Sequence, residues 1–115
     1  MNEGDKLFSS STDPNQFSSK IYSQDKKYFT AISGSEGGIW GIYDSYGNRI
    51  TSIADSIDDV KYQSGALCVY SGKTLLVKTN TKIDGKALLL MNNNGILQLL
   101  DTSSREQWNS NTKLT

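Results

Sequence analysis

The residues of this 115-residue chain that could do chemistry fall into three small groups. Asn92, Asn93 and Asn94 form a run of amides that could hydrogen-bond the hydroxyls of a ligand or simply make a polar turn, and the residues alone leave both uses open. Asp58 and Asp59 pair two carboxylates, which could share acid–base work or hold a cation. They stand beside a turn with no third ligand, and a solvated turn is the favoured reading. Cys68 is the single thiol, and the chain contains no histidine. Without an imidazole base nothing activates that thiol as a nucleophile, and it reads as a small hydrophobe. The same lack excludes a Ser-His-Asp triad, a His-containing zinc site and a facial-triad iron site. Carboxylate-only hydrolysis stays formally open, but no Asp/Glu pair is singled out by spacing. No catalytic residue, metal site or cofactor is therefore expected, and the chain is read as a non-enzyme.

The elements that must position these groups are strands. Within residues 85–112, Ala87, Leu89 and Met91 fall on one face of a period-two pattern, with Leu88, Leu90 and Asn92 on the other. Asn94-Gly95 then reverses the chain into residues 96–100. Asn-Gly between apolar runs predicts a two-residue hairpin turn, because such a turn requires positive φ at both central positions. A second reversal at residues 101–104 leads to Gln107-Trp108-Asn109, which carries a large aromatic for a core. The unit is strand, turn, strand, turn, strand.

That unit recurs. Residues 64–72 and 37–44 repeat the pattern of residues 94–101, and Lys78-Thr79-Asn80-Thr81 matches Asn109-Ser110-Asn111-Thr112. After each turn glycine (Gly38, Gly65, Gly95) the second and fourth residues are large and apolar: Trp40 and Ile42, Leu67 and Val69, Leu97 and Leu99. Three short β units that cannot each bury an apolar face can do so together. Trp40 and Trp108 could be sugar-stacking platforms, but Trp40 alternates with Ile42 on the inner face, which favours the core for it.

At residues 91–101, followed by Trp108-Asn109-Ser110-Asn111-Thr112, the chain resembles the repeat of the bulb-type (monocot) mannose-binding lectins, Q-x-D-x-N-x-V-x-Y. Residues 4–7 and 21–28 resemble that domain's opening strand and first hairpin. The resemblance covers nearly the whole chain. It implies one lectin-like domain over residues 1–115, all-β and of the β-prism II type, with three antiparallel sheet repeats about a pseudo-threefold axis and a sugar groove on each. Carried over position by position, the groove of repeat three is Asn92, Asn94, Ile96, Gln98 and Leu100. Repeat two supplies Tyr62, Ser64, Ala66, Cys68 and Tyr70. Repeat one supplies Ser33 or Ser35, Gly37, Ile39, Gly41 and Tyr43. The motif's Asn is apolar in all three copies and its acid is absent, so the implied function is a carbohydrate-binding module with altered or weakened mannose specificity. The alternative is a protein-interaction or assembly module, such as a toxin, bacteriocin or structural-complex component, with Ile39, Ala66 and Ile96 as contact surface. The family's members can also dimerise by exchanging the C-terminal strand, so a homodimer is a possible partner state.

Bulk properties agree with a binding module and narrow its partners to a glycan or a protein. The length suits one domain with a real core. Twelve basic and twelve acidic residues give zero formal charge, which supplies no overall drive toward nucleic acid or an anionic membrane. No apolar run approaches a membrane span. One cysteine and an N-terminus without an apolar signal core favour a cytoplasmic location, or export without a signal peptide. Residues 1–20 read as a polar loop with Leu7 and Phe17 tucked in, and Lys26-Lys27 as a solvated turn.

Overall fold

Alternating side chains build every sheet of this protein. The computed structural model describes residues 6–9, as backbone, together with residues 20–33 and 38–115. Among them there is no helix. The strands are β1 (Lys6–Ser9), β2 (Ile21–Tyr22), β3 (Tyr28–Ser33), β4 (Gly38–Asp44), β5 (Arg49–Ile57), β6 (Asp59–Gln63), β7 (Ala66–Ser71), β8 (Thr74–Lys78), β9 (Leu88–Met91), β10 (Leu97–Leu100) and β11 (Glu106–Asn109). They form three antiparallel sheets, ordered β2-β3-β4-β5, β1-β6-β7-β8 and β11-β10-β9. Each repeat read in the sequence therefore occupies one sheet, a layout compatible with a three-repeat prism. The opening strand β1 joins the second repeat's sheet, and β2 joins the first's. The expected placement of Leu7 and Phe17 side chains lies outside the described residues.

All three sheets contribute to one core. Ile32, Trp40 and Ile42 come from the first, Tyr62, Leu67 and Val69 from the second, and Leu89, Met91, Leu97, Leu99 and Trp108 from the third. Both tryptophans are buried, with ring centroids 6.2 Å apart. Each indole finds an acceptor, as buried Trp requires: Trp40 Nε1 donates to Thr30 Oγ1 at 2.9 Å and Trp108 Nε1 to the Thr112 carbonyl at 3.0 Å. The matched tails are the same device. Thr79 N–H donates to the Leu67 carbonyl while its Oγ1 accepts from Leu67 N–H, and Ser110 does both for Leu97.

The turns differ from expectation in one informative way. Around Asn94-Gly95 the loop has three residues, with Asn92 N–H donating to the Ile96 carbonyl, and only Gly95 has positive φ, +80°. The side chain of Asn92 explains this: its Oδ1 accepts from Asn94 and Ile96 N–H at 2.9 and 3.0 Å, which closes an Asx turn and favours the longer loop. Asp44 and Asp101 close their loops in the same way, with Gly47 and Ser104 at the positive-φ position. The two-residue turn with both φ positive occurs instead at Ser64-Gly65, at +53° and +76°, where Gln63 pairs directly with Ala66.

Candidate functional site

That missing loop residue moves the second repeat's register by one, and a slip of one turns every side chain over. Tyr62, expected in the groove, pairs with Leu67 on the inner face and is fully buried, its hydroxyl donating to the Gly85 carbonyl at 2.7 Å. Gln63 takes the outer position instead. It accepts a 2.6 Å hydrogen bond from the Tyr70 hydroxyl, and Lys61 Nζ lies 5.1 Å from the Tyr70 ring centroid. Ser64 is exposed in the turn. Cys68 is on the outer side by register, between Lys61 and Lys78, yet it is 5% exposed and not open to a groove. Ala66 is buried too, so it offers no contact surface.

The first sheet closes its outer face with aromatic rings. Phe29 and Tyr43 stack at 5.3 Å, Tyr22 lies 5.4 Å from Phe29, and Phe29 and Tyr43 are buried. The Tyr43 hydroxyl donates to Ser33 Oγ at 2.9 Å. Ser35 and Gly37 lie outside the described residues.

In the third sheet the five expected residues separate into two sets. Asn92 is committed to its own loop, Asn94 is exposed at the loop's tip, and Ile96 is half-buried behind it. Gln98 and Leu100 stand on β10 facing outward, Gln98 opposite Leu90 and Asn109, Leu100 opposite Leu88 and Glu106. One side of this face is apolar: Leu88 and Leu90 are 53% and 40% exposed and adjoin Leu100. The other side is polar, and Glu106 is its centre. Its two carboxylate oxygens accept from Gln98 Nε2 at 3.0 Å and Asn109 Nδ2 at 3.1 Å.

No family model matches the chain, and neither the curated proteins nor the solved structures searched include a match. Sequence reasoning missed Glu106 and Asn109 because both come from β11, outside the nine-residue motif. The available signal was the alternation of Glu106 and Asn109 about Trp108, once the bulge that pushes out Gln107 is allowed for. Of the paired acids, Asp58 caps the Gly72 N–H, and among the described residues no group of acids, Cys or His could hold a metal ion. A hollow of about 740 Å³ between β5, β8 and residues 113–114, lined by Ile53, Asp55, Leu76 and Lys113, includes none of the expected residues that are described.

Proposed function

We propose that this chain is a carbohydrate-binding module of the β-prism II type, with its site on the outer face of the third sheet. The observation that carries the reading is Glu106 held between Gln98 and Asn109 beside Leu88 and Leu90. A pyranose has a hydroxyl edge and an apolar C–H face, and the apolar side of this sheet fits the second while the carboxylate and amides fit the first. Glu106 supplies from the third strand the acid that the lectin motif would have supplied from the loop. Asn94, exposed at the end of the face, extends the amide set. The motif's own mannose geometry is not reproduced, so altered specificity is the natural form of the reading. A glycan array followed by calorimetric titration tests it. Glu106→Gln removes the charged acceptor and should weaken the best ligand at least tenfold, since a hydrogen bond to a charged group contributes roughly 1.5–3 kcal/mol. Unchanged binding in that variant would place the sugar elsewhere.

The exposure of Leu88 and Leu90 favours a second reading, an assembly surface that meets another protein through this same face. An empty glycan array, with a dimer in sedimentation that dissociates on Leu88→Ser and Leu90→Ser, would replace the first reading with the second.

A further inference from the structure

The second and third repeats end in equivalent loops whose backbone amides have different fates. In the third, Asn109 caps its loop: Oδ1 accepts from Asn111 N–H at 2.9 Å and its carbonyl accepts from Thr112 N–H at 3.0 Å. Lys78 takes the place of Asn109 in the second repeat. There the N–H groups of Asn80, Thr81 and Lys82 have no hydrogen-bond partner among the described residues, and neither has the Asn80 side chain. The structural part of the loop is intact without them, through Thr79 on Leu67 and the Thr81 hydroxyl on the Gly65 carbonyl at 2.8 Å.

The same three residues, Asn80, Thr81 and Lys82, line a hollow of about 400 Å³, together with Ser64, Lys78 and Thr79. Among the described residues the lining carries two lysines and no carboxylate, in a chain of zero formal charge. Neither ammonium has an ion-pair partner among the described residues. Lys61 adds a third positive charge on the same sheet, across Cys68 from Lys78. Asp59, the acid on this face among the described residues, stands at its far end opposite Tyr70. Like charges gathered on one face raise the free energy of the fold, and neither lysine serves the loop's own hydrogen bonding.

We propose that this hollow is an anion site for sulfate or phosphate, free or as a monoester, held by the free amides of residues 80–82 and the ammoniums of Lys78 and Lys82. Successive unpartnered N–H groups beside lysines are the donors that tetrahedral oxyanions take. The site is separate from the sugar face of the third sheet, so either can fail without the other.

Amide NMR titration reads it directly, with sodium phosphate in one arm and glucose 6-phosphate in the other, each matched in ionic strength by sodium chloride. Saturable shifts centred on Asn80, Thr81 and Lys82 are expected with phosphate chemistry and not with chloride. The tighter arm tells whether the anion arrives free or on a sugar. Lys78→Asn installs the third repeat's cap and should weaken binding on the order of tenfold or more, while slowing exchange of the Asn80 and Thr81 amides. Lys27→Gln with Lys86→Gln removes two charges elsewhere and should leave binding as it was. Shifts that fail to saturate, that chloride reproduces, or that both sets of variants reduce equally would overturn the site.

Discussion

The Tyr62 hydroxyl sits 2.7 Å from the Gly85 carbonyl in a fully buried position. Tyr62→Phe leaves the ring in the core and removes one hydrogen bond, so urea unfolding should show a loss of about 0.5–1.5 kcal/mol; no loss would mean that water takes the hydroxyl's place without cost. Cys68 gives a complementary test. Its thiol is covered, so Ellman's reagent should react only as fast as the protein opens, and the rate should rise steeply with urea. Fast labelling of the native protein would put the thiol at the surface. These two residues also mark the limit of reading by fixed offsets. Alternation places Leu67, Val69, Leu97 and Leu99 correctly, because each lies after its turn glycine. Counting backward through the turn fails at Tyr62, because loop length is set by whether an Asx side chain opens it, and Gln63 has no such geometry.

Loops are where the elements acquire their pH dependence. Asp101 is held below its ordinary pKa mainly by the Arg105 N–H, then by the Ser103 N–H, the Arg105 guanidinium 3.4 Å away and the Gln107 amide, while burial opposes them. Asp44 is lowered chiefly by the Asn48 N–H, with the Asn48 side chain and Tyr46 N–H adding to it. In both cases the unfolded chain binds the proton more tightly, so the stabilisation is whole above the unfolded value of 3.8 and fades as pH falls through the folded values. Asp44→Asn with Asp101→Asn should therefore flatten the decline in urea midpoint between about pH 5 and pH 2.5. An equally steep decline would assign the acid sensitivity to other carboxylates. Glycines divide the loops further. A Cβ on Gly65, at φ +76°, would lie 2.6 Å from the backbone N and O of Ile83, whereas one on Gly72, at φ +59°, would meet nothing within 4 Å. Gly65→Ala should cost more than about 2 kcal/mol, and Gly72→Asn close to nothing. Similar costs for the two would mean that the 82–83 segment moves aside freely.

At the scale of the whole molecule, three copies of one strand unit give three sheets around a shared core. That much was legible because each copy carries the same alternation and the second and third carry the same Thr/Ser tail. The outer faces were not, since an outward position has no pattern of its own and depends on which strand, loop or ring lies over it: Phe29 and Tyr43 cover the first sheet's face, and Glu106 reaches the third from a strand beyond the motif. Trp108 joins the layers, and Trp108→Ala should cost roughly 3–5 kcal/mol, with circular dichroism showing strand and no helix. A cost under about 1 kcal/mol would contradict its central place.

Asn93, at the tip of the third repeat's first loop, accepts from the Asp25 N–H at 3.1 Å, and a Cβ on the neighbouring Gly95 would lie 3.3 Å from the Tyr28 ring. The beginning of the chain is thus clasped by a segment made near its end, just as β1 waits for β6. On the ribosome the first two repeats must emerge with one side of their core uncovered, and the ring of sheets can close only after the third has left the exit tunnel. Folding of this kind is governed by contacts distant along the chain and is slow for its size, so the apolar side of an unfinished chain stays uncovered for longer, which is the condition that favours aggregation.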